Sequence, residues 1–291
     1  MPTSSIDGRT IEFNLDKYDA ANVYNIQDTN IEVNVIITRK DGSLPLKTDR
    51  VGPVNNLLHS LWESIRITIN DVPITVSPSN YPYKSYISNC LTYNNLVKAA
   101  QLSTQGWYSD FANHFGPSDT NSGWVERMNL FRKNYTEGGD YRKNGITLFG
   151  RLLHDLVSCE SGLPPLTKVK IELDRSEDSF VLMCPKTDTE KYTIKIANIA
   201  LFVPVAQLTE PVYREINSIL SGQGKDQHSI AIHYRRVEIR NITLPKFKEE
   251  YYSDSLFSNC ELPCKIVLCF VESAKKIGTY DSNPVLFYSL K

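Results

Sequence analysis

The chain has 291 residues, and its 41% of apolar and 22% of charged residues are typical of a globular protein that buries a core of useful size. Its 32 lysines and arginines nearly balance its 33 aspartates and glutamates, which argues against a dedicated nucleic-acid binder. The first residues lack the pattern of a secretory signal peptide, and no apolar run reaches the roughly 18 residues of a membrane span. We therefore expect a soluble, non-secreted protein whose six cysteines are reduced and buried.

Strict alternation of apolar and polar residues predicts strands that bury one face and expose the other. The first such runs are at 31–37, 65–69, 169–173 and 194–203. A second series follows at 230–242, and a nearly continuous apolar run at 265–271 favours a strand covered on both faces. Together with 16 tyrosines and 11 phenylalanines, these runs predict an all-β fold.

Helical periodicity is confined to three short segments, at 55–63, 83–91 and 211–220. The first of them runs directly into a predicted strand without a linker. The last has Thr209 in position to cap it and Pro211 in its first turn, and glycines follow it, so we interpret it as a connector. The predicted division is a first domain at 1–205, a helical connector at 206–228 and further strands at 229–291.

The segment 104–145 follows neither period and is rich in glycine, asparagine, serine, aspartate and aromatic residues. A loop of this length is uncommon inside a compact domain, and its aromatic content predicts an ordered excursion that packs on a neighbour. Contact with another subunit and a cover over the chain's own sandwich both fit this composition. The candidate subunit-contact residues, which include two arginines of a later basic run, are Trp107, Tyr108, Phe111, Trp124, Phe131, Tyr135, Arg235 and Arg236.

Motifs for catalysis and cofactor binding are absent: the sequence has no glycine-rich phosphate loop, no HExxH and no GxSxG. The spacing of Cys260, Cys264 and Cys269 does not match a zinc knuckle or ribbon, and the five histidines are dispersed. We therefore predict no catalytic residue, no cofactor and no metal. A nucleophile at Cys90 or Cys159 with a distant histidine stays open, because such partners meet only in space.

Several motifs, in a fixed order along the chain, carry a resemblance to a known family. They are VGPVN at 51–55, LHSL at 58–61, NYPY at 80–83, GWY at 106–108, LFGR at 148–151, DRS at 174–176, DSF at 178–180 and ALFV at 200–203. In these motifs the chain resembles the major capsid proteins encoded by Polinton (Maverick) elements and adintovirus-like relatives, which are double jelly-roll proteins of the adenovirus and tectivirus lineage. The matching residues, for which the resemblance implies a structural role, are Gly52, Pro53, Asn55, His59, Tyr81, Pro82, Tyr83, Gly150, Arg151, Arg175, Asp178 and Phe180.

The resemblance implies a jelly-roll β-sandwich with a few short helices. It implies a non-enzymatic capsid subunit that assembles as trimeric, pseudo-hexagonal capsomers into an icosahedral shell. The expected partners are further copies of the chain and other capsid proteins, such as a penton or minor capsid protein, with nucleic acid present only as packaged genome. The expected location is the virion capsid, assembled in the cytoplasm or nucleus of the host cell.

The resemblance departs at the C-terminal end. Relatives continue past the counterpart of Asn283 and Pro284 through most of a second jelly roll, so the runs at 230–242 and 265–271 are expected to open a second, incomplete roll. A fragment, a split gene and a sheet completed by another chain are all compatible with this departure. A ligand- or glycan-binding β-sandwich, with the aromatic segment lining a sugar site, is the alternative function.

Overall fold

Two antiparallel sheets organise the chain in the structure, a computed structural model that describes residues 1–15, 22–75, 79–133, 145–159, 161–186, 192–221, 231–245, 252, 263–276 and 278–287. The strands are β1 (Thr10–Leu15), β2 (Asn22–Tyr24), β3 (Asn30–Arg39), β4 (Gly52–Pro53), β5 (Trp62–Ile69), β6 (Val72–Pro73), β7 (Ile146–Arg151), β8 (Val169–Arg175), β9 (Leu182–Met183), β10 (Tyr192–Phe202) and β11 (Val205–Gln207). The helices are α1 (Leu57–Ser60), α2 (Tyr81–Thr92), α3 (Asn95–Ala100), α4 (Ser122–Arg132), α5 (Asp178–Val181), α6 (Glu210–Leu220) and α7 (Ser273–Lys276), with 3-10 turns at Ile26–Asp28, Leu102–Gln105 and Asp155–Ser158.

The strand order defines a jelly roll. One sheet has the order β1-β8-β5-β6 and the other has the order β10-β3-β7, and all of their pairings are antiparallel. In chain order the six long strands β1, β3, β5, β7, β8 and β10 alternate between the two sheets, so each connection crosses from one layer to the other. The fold is therefore an all-β jelly-roll sandwich, as the sequence predicts.

The core lies between the two sheets, where the alternating apolar side chains meet. Ile31, Val33 and Val35 of β3 are fully buried, as are Ile171 and Leu173 of β8. Burying one such aliphatic side chain is worth about 1.5–3 kcal/mol, so the inward faces supply most of the driving force for folding. The strands predicted at 31–37, 65–69, 169–173 and 194–203 are confirmed.

Short segments and side chains cover one edge of each sheet. The Ile194 amide on the edge of β10 donates to Asp178 Oδ1 at 3.1 Å, and the Ile194 carbonyl accepts from Arg175 Nη2 at 2.7 Å. The edge of β1 is covered by the N-terminal residues, because the Thr3 amide donates to the Glu12 carbonyl at 2.8 Å. Backbone groups that would otherwise be free to pair with another strand are therefore already bonded at these positions.

Three predicted helices are confirmed, although their bounds shift. The segment predicted at 55–63 contains α1, whose side chains are all buried, and the chain enters β5 one residue after α1 ends. The segments predicted at 83–91 and 211–220 contain α2 and α6, and α6 follows Thr209 as its N-cap residue. Within the described ranges, none of the helices combines the length and apolarity that a membrane crossing requires.

The predicted loop at 104–145 is wrong in part, because it contains the three-turn helix α4. The side chain of Asn121 accepts a hydrogen bond from the Trp124 amide and so caps the helix. Trp124, Met128 and Phe131 follow at helical spacing on its buried face. Gly123 permits close packing, because a Cβ there would lie 2.2 Å from the Ser109 carbonyl oxygen. The glycine- and asparagine-rich composition concealed this helical period.

The strands predicted at 230–242 and 265–271 are not formed in the described residues 231–245 and 263–269. Ile232 and Tyr234 pack against the core, but Leu268 is 76% exposed. An alternating sequence shows which side chains are apolar, but a strand also forms backbone hydrogen bonds with a neighbouring strand. Among the described residues of these two segments only Phe270 forms a β-bridge, so their assignment to a second roll stays a prediction.

Candidate functional site

The residues that carry the family resemblance are spread from 52 to 180 in the sequence, and the fold brings several of them into contact with one another. Gly52 and Pro53 form β4, which pairs with β9 and packs on α4. Asn55 follows, and its Oδ1 accepts from the Asn56 amide at 2.9 Å and from the Tyr108 amide at 2.8 Å. Asn55 therefore ties the turn before α1 to the aromatic segment.

His59 lies at the centre of a buried chain of hydrogen bonds. The Leu153 amide donates to the Tyr81 hydroxyl oxygen at 3.2 Å, so the Tyr81 proton is free to donate to His59 Nδ1 at 2.7 Å. His59 Nε2 then carries the ring proton and donates to Gln105 Oε1 at 3.1 Å. Burial lowers the pKa of His59 to about 4, which keeps the ring neutral. This series of hydrogen bonds joins α1, α2, a 3-10 turn and the segment after β7.

The neighbouring motif residues also have structural contacts. Pro82 is buried in the first turn of α2, and Tyr83 donates from its hydroxyl to the Pro284 carbonyl at 3.1 Å. The Tyr83 ring meets Phe180 edge to face, with centroids 6.1 Å apart. Gly150 is needed for close approach, because a Cβ there would lie 2.5 Å from the Gln105 side chain.

The remaining motif residues bond to backbone. Arg151 donates to the Gln27 carbonyl at 2.7 and 2.9 Å, which fixes the end of β7 to the turn before β3. Arg175 and Asp178 bind the edge of β10, as described above. Arg151, Arg175 and Asp178 therefore fix neighbouring segments to the end of one strand and the edge of another.

A buried ion pair, which no sequence pattern predicted, lies between α4 and the segment after Tyr108. Arg127 of α4 is 1% exposed and Asp110 is 6% exposed, and Arg127 Nη2 donates to Asp110 Oδ1 at 2.6 Å. Arg127 also donates to the carbonyls of Pro53 and Tyr108, and Asp110 Oδ2 accepts from Asn283 Nδ2 at 2.8 Å. The pair thus joins α4 to β4, to the segment around Tyr108 and to Asn283. The only sequence signal was the position of Asp110 two residues after a family motif.

A second buried ion pair lies beside the series of hydrogen bonds that contains His59. Lys84 of α2 bonds to Asp155 Oδ1, and both side chains are largely buried. The adjacent His154 donates from Nε2 to the Ile26 carbonyl at 3.2 Å. Burial, reinforced by the charge of Lys84, lowers the pKa of His154 to about 3. No local pattern in the sequence points to these contacts, because they join residues more than 70 positions apart.

For three residues the predicted role in subunit contact is wrong. Trp107, Trp124 and Phe131 are buried inside the chain itself, and Trp107 stacks on Tyr86 with ring centroids 4.9 Å apart. Their large apolar surfaces are therefore already covered by self-packing, which was the alternative reading of the aromatic segment.

The other predicted contact residues remain at or near the surface. Phe111, Arg235 and Arg236 are exposed and Tyr108 is half-buried, whereas Tyr135 lies outside the described residues. Tyr108 lines a groove of about 520 Å³ along the outer side of α4, together with Glu126, Asn129 and three cationic side chains.

The buried polar residues hold connections rather than present reactive groups. Within the described ranges, no three His, Cys, Asp or Glu side chains are grouped to hold a metal ion. Cys159 is buried and its thiol donates to the Ser161 carbonyl at 3.0 Å. The expectation of buried cysteines is met by Cys159 and Cys184 but not by Cys90, Cys264 and Cys269, which are exposed.

The chain was compared with known proteins by sequence and by structure. No family model matches the chain. Uncharacterized protein F54H12.2 of Caenorhabditis elegans is 21% identical over 272 residues, which cover 90% of this chain and 59% of that protein. The chain thus spans less than two thirds of the length of this relative.

Solved structures of viral proteins are also similar. A chain of the Sputnik virophage structure shares 14% identity over 72% of this chain and 47% of its own length, with a TM-score of 0.46. The mavirus major capsid protein shares 12% identity over 72% of this chain and 46% of its own length, with a TM-score of 0.36. PBCV-1 VP54, fitted into a Sputnik reconstruction, shares 9% identity over 72% and 40%, with a TM-score of 0.33.

Proposed function

We propose that the chain is a structural capsid subunit that acts by self-association rather than by catalysis. The observation that carries this proposal is the set of buried contacts made by the family-motif residues. Their polar groups bond inside the chain, and they join strands, helices and turns that are far apart in sequence. Such buried contacts stabilise the fold of the chain, and a subunit of a repeating shell requires a stable fold.

The outer faces of the two sheets differ, and the difference indicates where copies of the chain meet. On the four-stranded sheet, Arg66 pairs with Glu172 and Asp174, and Lys170 pairs with Glu12 and Glu172. Such exposed pairs keep a face well solvated and add little stability. A face of this composition is a poor centre for an interface, because interface cores are depleted of charge.

The three-stranded sheet instead exposes an aromatic pair. Phe149 of β7 is 43% exposed and Phe202 of β10 is 49% exposed, and their ring centroids lie 6.2 Å apart. In the register Glu32 of β3 lies opposite Phe149, and Asn30 of β3 lies opposite Phe202. Aromatic side chains are enriched in interface cores and carry much of the binding energy there. We assign the contact between copies to this face.

The double substitution Phe149→Ser with Phe202→Ser is expected to shift the chain from oligomer to monomer in size-exclusion chromatography with light scattering. Each substitution removes exposed apolar surface without touching the core, so the melting temperature should change little. Leu96→Ser is the matched control, since Leu96 is 78% exposed on α3 and belongs to neither sheet. Unchanged association in the double variant would reject this face as the contact.

The finer parts of the proposal follow from the family resemblance. Three copies form a pseudo-hexagonal capsomer, and capsomers with penton or minor capsid proteins form an icosahedral shell in the virion around the packaged genome. The segments 231–245 and 263–276 belong to a second roll, and the chain 206–228 connects the two rolls. The host element is of the Polinton or adintovirus-like type.

A glycan-binding function is the second candidate, and the groove beside Tyr108 is the observation that favours it. A half-buried aromatic ring that lines a groove with Glu126 and Asn129 is a suitable surface for a sugar. Under this alternative the chain is a monomer that binds a glycan array, and Tyr108→Ala abolishes that binding. That pair of results would replace the capsid proposal, whereas an oligomer without glycan binding would support it.

A further inference from the structure

A small polar cavity lies between α2, β5 and the turn at Asp155–Ser158. Its volume is about 10 Å³, and Thr75, Lys84, His154 and Asp155 contribute to its lining. A cavity of this size is at the lower limit for a single water molecule and excludes anything larger. None of the roles assigned above uses it.

Two buried acceptors in this lining have no hydrogen-bond partner among the described residues. His154 is 4% exposed and Asp155 is 5% exposed. Because His154 Nε2 carries the proton that bonds to the Ile26 carbonyl, Nδ1 of the neutral ring is an acceptor, and it is unpaired. Asp155 Oδ1 is bonded to Lys84, but Oδ2 is unpaired as well. Buried polar atoms in native proteins nearly always have a partner, so the cavity requires a hydrogen-bond donor.

We propose that this cavity binds one water molecule, which donates one hydrogen to His154 Nδ1 and the other to Asp155 Oδ2. The two unpaired acceptors match the two donors of water. The electrostatic surroundings favour a neutral ligand, because the Lys84 ammonium repels a cation and the Asp155 carboxylate repels an anion. Lys84 has hydrogens left to donate to the water oxygen, which gives the molecule the usual three partners of a buried water.

The bound water completes the connection between α2 and the segment after β7. Lys84 holds one oxygen of Asp155 directly, and the water joins the other oxygen to His154, whose opposite nitrogen is bonded to Ile26. The three chain segments are thereby linked through both nitrogens of one ring and both oxygens of one carboxylate. The inference does not depend on the capsid proposal.

Oxygen-17 magnetic relaxation dispersion, which counts water molecules held inside a protein, tests the site on the full chain. The variant His154→Leu removes one acceptor and fills space, so it should hold one fewer long-lived water than the wild type. The variant His154→Gln keeps an amide donor for Ile26 and an oxygen acceptor, so it should retain the count. Met128→Leu, a buried change far from the cavity, is the control and should also retain it.

A crystal structure of the wild type gives a second measurement that does not depend on the folding of a variant. A density peak within hydrogen-bonding distance, roughly 2.6–3.2 Å, of both His154 Nδ1 and Asp155 Oδ2 is the expected result. An equal water count in His154→Leu and wild type, a metal ion at the position, or a direct contact between the two acceptors and Lys84 that closes the cavity would overturn the proposal.

Discussion

Arg127→Met is expected to lower the free energy of unfolding by about 3–5 kcal/mol, because it leaves the Asp110 carboxylate buried without its cation. Arg127 also donates to the carbonyls of Pro53 and Tyr108, which lose a donor in the same step. Methionine fills a similar volume, so the loss reflects charge and hydrogen bonding more than a cavity. Urea denaturation of the purified chain measures the effect as a lower midpoint with an unchanged slope.

Two further variants separate this buried pair from a general effect of losing an arginine on α4. Arg132→Met should cost less than about 1 kcal/mol, because Arg132 is only half-buried and bonds to the Asp49 carbonyl rather than to a carboxylate. Adding Asp110→Asn to Arg127→Met should restore part of the loss, since it removes the unpaired charge. Equal costs for the two arginine variants would contradict the assignment of Arg127 as the central buried contact.

Stability is expected to fall as the pH drops from about 6.5 to 4, because two buried histidines cannot take up protons in the folded state. Burial lowers the pKa of His59 from 6.5 to about 4, and burial with the nearby Lys84 lowers that of His154 to about 3. Above pH 6.5 both rings are neutral in the folded and unfolded chains, so their contribution is complete. Below it the unfolded chain binds protons first, and each ring costs about 3 kcal/mol by pH 4.

The variant His59→Gln measures the share of His59 in this pH dependence. It removes one titrating ring, so the change in urea midpoint between pH 7 and pH 4 should be roughly halved, whatever the overall stability of the variant. Met128→Leu is the control, because it changes a buried side chain without removing a titrating group and should leave the pH profile unchanged. An unaltered profile in His59→Gln would mean that the ring is already accessible to protons in the folded state.

The sequence predicts the strands of the sandwich well, because alternation reports directly on a sheet with one buried face. The runs around Val33 and Ile171 become β3 and β8 with the expected residues inside. The same pattern fails at 230–242, since it contains no information about which strand would pair with the segment. The helix α4 was missed because Gly123 and its polar neighbours hide a spacing that only Trp124 and the later apolar residues reveal.

The sequence could predict which motif residues matter for the structure, but it could not predict which hydrogen bonds they form. The resemblance pointed to His59 and Tyr81, which do meet, but Gln105 and Lys84 gave no signal of their own. A hydrogen bond between residues 50 or more positions apart depends on how the sheets stack, which no local pattern encodes. For the same reason large aromatic residues such as Trp124 could not be assigned to a surface or to the core from composition.

Because Asp178 and Arg175 occupy the margin of β10, and the N-terminal residues do the same for β1, copies of this protein have no route to fibril-like growth through shared backbone ladders at these positions. Contact between copies at these margins is then left to side chains. Side-chain contacts respond to salt, to acidity and to single amino-acid changes, so we expect association through these margins to be reversible without unfolding of the chain.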